Sequence, residues 1–255
     1  YYVKVVFLFF KFLRFFFSLF LGGEACIKCG RITFNPPICE ICKNQFIYDW
    51  VPSVNEVDGI RTRCNCCGKE LISEIDLCSR CKEEKVLLHT DSVVPVHTYR
   101  LWKIDLLYMW KYQHRRQLTK VFSDLSSNVI KKEFFSDGEI PLVPVPPRPG
   151  KIRKQGWDQV EDLCKYLEMF YGFKVLRVLE RTTSIQQKKL NRKSRLENLG
   201  HAYRINPKFI AKNILPEKII LIDDVITTGV TMETCAKCLK EAGVSTVYGF
   251  SLFTV

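Results

Sequence analysis

The sequence is short of acidic side chains. Its 255 residues carry 27 Asp and Glu against 39 Lys and Arg, a formal net charge of +12, and the pI is near 9.1. That imbalance disfavours cationic partners and points to polyanions: phosphates, nucleic acid or acidic lipid. A basic substrate cleft accounts for part of the same excess. Also missing is an unbroken apolar stretch of the roughly 20 residues that a membrane span needs. The opening YYVKVVFLFFKFLRFFFSLFL is apolar and Phe-rich, yet Lys4, Lys11 and Arg14 interrupt it. In a span, Lys11 and Arg14 would lie near the bilayer centre at about 2.5–3.5 kcal/mol each. A signal peptide keeps its basic residues ahead of the apolar run; these fall inside it, and Gly23-Glu24-Ala25 makes a poor lipoprotein cleavage site before Cys26. The three basic residues share one face of a helix. Residues 1–24 are therefore expected to form an amphipathic helix packed on the protein or a partner, with contact to a membrane surface through residues 1–21 as the second reading. The expected location is the cytoplasm, with membrane association left open.

Hydrophobic content of 47% and charged content of 26% suit a globular protein, and the length suits one large or two smaller domains. Nine of the twelve cysteines lie within residues 26–81. Such clustering without a secretory context favours metal over disulfides. The spacing repeats: Cys26-x2-Cys29 with Cys39-x2-Cys42, then Cys64-x2-Cys67 with Cys78-x2-Cys81, each first pair followed by glycine, Gly30 and Gly68. Two CxxC turns close a tetrahedral four-thiolate zinc site and leave no open position, so both zinc ions should be structural. Residues 25–85 thus read as a double zinc ribbon whose folding energy comes from metal. Cys66 is a spare at the wrong spacing, and Trp50 and Pro52 in the connector are expected to pack between the ribbons. Cys235 lies with Met232, Ala236 and Leu239 on an apolar helical stripe, and Cys235 and Cys238 read as buried, inert helix cysteines, as does Cys164.

From residue 90 to 255 the chain alternates strand and helix signals, the pattern of a parallel sheet flanked by helices. Residues 82–98 carry a charged run and then Pro95, which marks a boundary near 85–95. Residues 99–135 keep helical spacing around KYQHRRQ. That segment, with Lys111, His114, Arg115 and Arg116, reads equally as a solvated helix end or as a basic rim over an anion. Leu142–Val145 is a strand that Pro144 assigns to an edge or an end. The loop after it carries Arg148, Lys151, Arg153 and Lys154, as a pyrophosphate site needs. Asp158 with Glu161 opens a helix as a capping box. Val175–Leu179 and Val244–Phe253 read as further strands. The polar segment from Thr183 to Gly200, with Lys188, Lys189, Arg192, Lys193 and Arg195, reads as a lid over the sheet's carboxyl edge.

The most informative stretch is IILIDDVITTGVT, Ile219–Thr231. A short β-branched run ends in Asp223 and Asp224, at the strand's carboxyl end where open α/β sheets bind ligands. Thr227, Thr228, Gly229, Val230 and Thr231 then offer backbone N–H groups and hydroxyls at a helix N-terminus, which favours phosphate. Two carboxylates beside such a cradle suit a sugar phosphate.

This stretch resembles the phosphoribosyl pyrophosphate (PRPP) signature of type I phosphoribosyltransferases. The resemblance implies that Asp223 and Asp224 contact the ribose hydroxyls and that Thr227–Thr231 hold the 5′-phosphate. From about Cys26 onward the chain resembles the ComF family, a double zinc ribbon followed by a phosphoribosyltransferase domain. The likeness rests on the cysteine sets, Trp110-Lys111-Tyr112, Val143–Pro146, Gln155–Gln159, and Gln187, Leu190, Arg195 and Asn198. Gln155 stands where the family usually has Arg, and Asp158 where it has Asn. Two functions follow as expectations. The first is a transferase binding Mg²⁺-PRPP or a nucleotide phosphate, with Asp223 and Asp224 as its catalytic pair and an unknown nitrogen acceptor; Arg153 and Lys154 hold the pyrophosphate, with Lys111, Arg181 and Arg195 as further anion ligands. The second is a non-catalytic accessory protein of DNA uptake that binds single-stranded DNA and a competence helicase.

Overall fold

The computed structural model describes residues 22–34, 36–48, 62–85, 87–98, 102–135, 138–182, 202–211 and 214–254, with five separate residues of the N-terminal stretch. Phe9, Phe12, Leu13, Phe16 and Phe17 are helical. The rest of the expected N-terminal helix, Trp50 and Pro52, and the lid with Arg195 lie outside the described residues. Among the described residues no helix is long and apolar enough to cross a membrane.

The first cysteine set folds as β1 (Glu24–Ala25) paired antiparallel with β2 (Ile32–Thr33), followed by α1 (Glu40–Tyr48). The second has one bridge, Arg63 to Glu70, and the short α2 (Ser79–Glu83). Beyond them stand four parallel strands in the order β3-β8-β7-β4: β3 (Ser92–Thr98), β4 (Leu142–Pro144), β7 (Lys218–Ile226) and β8 (Thr246–Thr254). A separate antiparallel pair is β5 (Leu179–Arg181) with β6 (Tyr203–Ile205).

The sheet is buried on both faces, so its strands alternate between two cores. From β7, Ile220 and Ile222 enter one core and Ile219 and Leu221 the other, all within 1% of full burial. The first core is completed by α3 (Trp102–Lys111), α4 (Leu118–Phe134) and, after the short α5 (Lys151–Gln155), α6 (Gln159–Tyr171). Beyond the one-turn α7 (Pro207–Ile210), α8 (Val230–Glu241) covers the opposite face through Val230, Met232, Cys235, Ala236 and Leu239. Cys235 and Cys164 are buried helix residues, as expected; Cys238 is half-buried. Each buried Ile or Leu contributes about 1.5–3 kcal/mol.

The ribbons share these cores. Cys26, Ile38, Cys39 and Cys42 join the α4–α6 face, where Lys43 of α1 pairs with Asp124 at 2.9 Å. Cys64, Cys66, Cys78 and Cys81 join the α8 face. Gly68 (φ 71°) packs so closely on β3 that a Cβ there would lie 2.2 Å from Pro95 Cδ and 2.3 Å from the Val93 carbonyl. Arg63, 1% exposed, donates from Nη1 to the Gly68 carbonyl (2.9 Å) and from Nη2 to that of Val96 (3.3 Å).

β3 begins at the end of the segment expected to hold a domain boundary and pairs with β8 despite Pro95. One expectation needs correction. Val175–Leu179 is not a continuous strand: Val175 makes a single parallel bridge to Leu142, and regular pairing starts at Leu179. The partner β4 is three residues long and its Pro144 has no N–H to extend the ladder.

Candidate functional site

β7 delivers Asp223 and Asp224 to the carboxyl edge of the sheet, and α8 begins directly after the following loop. Gly229 is the N-cap residue of α8 at φ 79°, a left-handed turn that a side chain resists. The acidic pair and Thr231 face a cleft of about 560 Å³. Its opposite wall is basic, with Arg148, Lys151 and Lys154 from the β4–α6 connection, Lys111 from the end of α3, and Arg181 from β5.

Local contacts hold this wall in place. Asp158 caps α6 by accepting from the Glu161 N–H at 3.0 Å, as the sequence signature requires. The Glu161 side chain pairs instead with Arg177 at 2.8 Å. Lys151 donates to Asp158 at 2.6 Å and to Gln159. Trp157 Nε1 donates to His114 Nδ1 at 2.7 Å, and Arg116 grips Asp162 through two nitrogens at 3.1 and 2.7 Å. The KYQHRRQ segment therefore splits: Lys111 enters the cleft, while His114 and Arg116 anchor the α3–α4 turn to the opening of α6.

The acidic pair is electrostatically loaded. Lys111 Nζ lies 2.8 Å from Asp224 Oδ2. Burial lowers the Lys111 pKa, but the Asp224 carboxylate outweighs it and holds the ammonium above its ordinary value. Burial and the neighbouring Asp224 charge push Asp223 up to about 7, against the Asp224 N–H that Asp223 Oδ1 accepts at 2.8 Å and against Lys111. The pair thus presents a carboxylate next to a carboxyl poised near neutrality.

The sequence-predicted residues divide. Asp223, Asp224, Thr231, Lys111, Lys154 and Arg181 meet in the one cleft. Thr227, Thr228 and Gly229 line a smaller cavity of about 190 Å³ on the side of the second ribbon, with Cys67, Arg80 and Leu87. Val230 is buried in the α8 core. Arg153 is exposed and outside the cleft lining. Arg195 lies outside the described residues. Sequence reasoning did not single out Tyr203, which lines the cleft from β6 and is 5% exposed. A three-residue strand following a polar segment carries no signal that would have found it.

Each cysteine set gathers into a cluster whose sulfurs all lie within 4.8 Å of one another. Sγ–Sγ separations of 3.7 Å, for Cys29–Cys39 and Cys67–Cys78, match the edge of about 3.8 Å that follows for a tetrahedron with Zn–S bonds near 2.3 Å. In the second set, the Cys67 thiol and the N–H groups of Cys67, Cys78 and Cys66 outweigh burial and hold Cys64 down to about 4. The Cys64 thiolate and burial in turn push Cys67 up, and burial and the Cys64 charge push Cys81 up, so the remaining thiols would ionise as metal binds, and both clusters fit the double-ribbon expectation.

The chain is 33% identical over 234 residues to the competence protein ComFC of Streptococcus pneumoniae, covering 89% of this chain and 98% of that one. It is 25% identical over 195 residues to competence protein F of Haemophilus influenzae, covering 74% and 83%. Against ComFC of Bacillus subtilis it is 26% identical over 239 residues, covering 84% and 94%. No family model matches the chain.

Proposed function

This chain belongs to the ComF family, and on that premise we propose that it is an accessory protein of DNA uptake whose sheet edge binds phosphate esters. The competence names of its relatives support the setting. One observation carries the chemistry: an acidic pair, the start of a twelve-residue helix and a wall of lysines and arginines meet in one cleft. Phosphate oxygens take the basic wall and the helix N-terminus, and sugar hydroxyls donate to the carboxylates. Single-stranded DNA is the matching polymer. Exposed Arg115 and Arg153 extend the basic surface, and Tyr112, 57% exposed at the cleft, offers a ring on which a base can stack. A helicase of the uptake machinery is the partner, and residues 1–21 are the contact to a membrane surface.

A second reading, favoured by the acidic pair at the carboxyl end of β7, is a phosphoribosyltransferase domain. Here Asp223 and Asp224 hold the ribose diol of PRPP, the Thr227–Thr231 loop its 5′-phosphate, and Lys151, Lys154 and Arg148 its pyrophosphate. Mg²⁺ bound with PRPP would neutralise the leaving pyrophosphate; the chain itself orients the ribose and offers positive charge.

The salt dependence of DNA binding separates the two. Each phosphate contact to single-stranded DNA contributes a slope of about −0.7 in log K against log salt. Replacing Arg148 and Lys154 with Gln should flatten the slope by roughly 1–2. Weak, salt-insensitive DNA binding combined with a large thermal shift from Mg²⁺-PRPP would favour the transferase.

A further inference from the structure

Arg181 and Tyr203 stand directly opposite each other in the β5–β6 ladder, at the two ends of the segment read as a lid. The guanidinium lies 5.4 Å from the centre of the Tyr203 ring. Among the described residues, three of their polar atoms are shielded from solvent and make no hydrogen bond of normal geometry: Arg181 Nε, Arg181 Nη2 and the Tyr203 hydroxyl, the last with the Thr231 side chain beside it. Buried donors left unmade are costly and rare, and each needs an explanation. Nε and Nη2 form one edge of the guanidinium, the fork that grips two oxygens of a phosphate or carboxylate. Arg116 uses the same edge on Asp162. Both residues line the cleft with Asp223, Asp224 and Thr231. The Tyr203 phenol is held above its ordinary pKa, first by burial and then by the nearby Cys235 and Asp223, so at neutral pH it keeps its proton and can donate it.

We propose that Arg181 and Tyr203 form a preassembled oxyanion clamp, in which the Arg181 Nε–Nη2 edge and the Tyr203 hydroxyl take the oxygens of a phosphate monoester held against the first turn of α8. The inference rests on the phosphate-ester reading of the cleft and adds to it. The helix N-terminus supplies partial charge from one side, and the clamp supplies a full charge and a phenol from the other. A terminal phosphate presents three oxygens to the two halves, whereas an internal phosphodiester presents two. Ligands with a terminal phosphate are therefore preferred, whether a phosphorylated ribose or a nucleoside 5′-monophosphate.

The test is calorimetry on the zinc-loaded full chain with ribose 5-phosphate, a nucleoside 5′-monophosphate and the unphosphorylated nucleoside. A hydrogen bond to a charged group contributes about 1.5–3 kcal/mol, so Tyr203→Phe should weaken both phosphorylated ligands roughly ten- to hundredfold. Arg181→Lys keeps the charge and loses the fork, and should weaken them comparably. Affinity for the nucleoside should not change. Without ligand, Tyr203→Phe should melt at the wild-type temperature or above it, because it removes an unsatisfied buried hydroxyl. A purely structural tyrosine would instead lower the melting temperature. If wild-type protein binds the phosphorylated ligands and both variants bind them equally well, the clamp is wrong while the cleft reading stands. If wild-type protein binds none of them, the cleft reading fails and the clamp falls with it. A preference confined to one phosphorylated ligand identifies which source the clamp serves.

Discussion

Lys111 Nζ rests 2.8 Å from Asp224 Oδ2, bringing the end of α3 against the carboxyl end of β7. This ion pair is built into the cleft wall and gives one carboxylate of the acidic pair a counter-charge. For the neighbouring Asp223, burial and the Asp224 charge lift the pKa to about 7.

The first prediction concerns this titration. In a carboxyl-carbon NMR titration of the free protein, Asp223 should ionise near pH 7. Lys111→Met removes a nearby positive charge and should move the midpoint up by about one unit. The folded value lies above the ordinary carboxyl value, so the contribution of Asp223 to stability falls as pH rises from about 4 through 7. Asp223→Asn removes that loss. At pH 8 the free variant should be more stable than wild type and melt at a higher temperature. A midpoint near 4 in the wild type would refute the account.

The second prediction concerns ligand. Asp223→Asn combined with Asp224→Asn should abolish binding of PRPP and leave the circular dichroism spectrum unchanged. Removing two mutually repelling carboxylates should not unfold the free protein, and calorimetry reads the binding. Unchanged affinity in the double variant would show that the pair is not the sugar contact.

The third prediction concerns metal. Elemental analysis should find two zinc ions per chain. Six of the eight ligand cysteines are part of the two sheet cores, so chelation should lower the Tm of the whole chain rather than melt residues 26–81 alone. Gly68→Ala puts a Cβ 2.2 Å from Pro95 and requires φ 71° of an alanine. It should cost about 3 kcal/mol or more, because both a backbone contact and a left-handed conformation are violated. A loss below 1 kcal/mol would show that the second ribbon does not seat on β3.

The parts legible in the sequence are those whose physics is local. The cysteine sets announce themselves because a knuckle fixes its own spacing, and Ile219–Asp224 because a doubly buried strand leaves no polar interruption. Asp158 reads as a cap because its partner, the Glu161 N–H, is three residues away. β3 was hidden by Pro95, which an edge strand tolerates and a local reading does not. The face that each ribbon covers depends on packing between segments far apart in the chain. The same holds for Glu233 of α8, which accepts from the His89 N–H at 3.0 Å and so ties the exit of the second ribbon to the helix that follows β7. Arg181 and Tyr203 meet only because a long segment returns the chain to its starting point.

The sheet's two central strands, β7 and β8, lie far downstream in the chain of the two cysteine ribbons that pack against its two faces. At 5–20 residues per second, roughly 10–35 seconds separate translation of Cys81 from translation of Thr254. During that interval eight thiols wait without the cores that will bury six of them. Zinc bound early would make each ribbon a finished, chemically capped part, ready for the surface it meets when β7 and β8 follow.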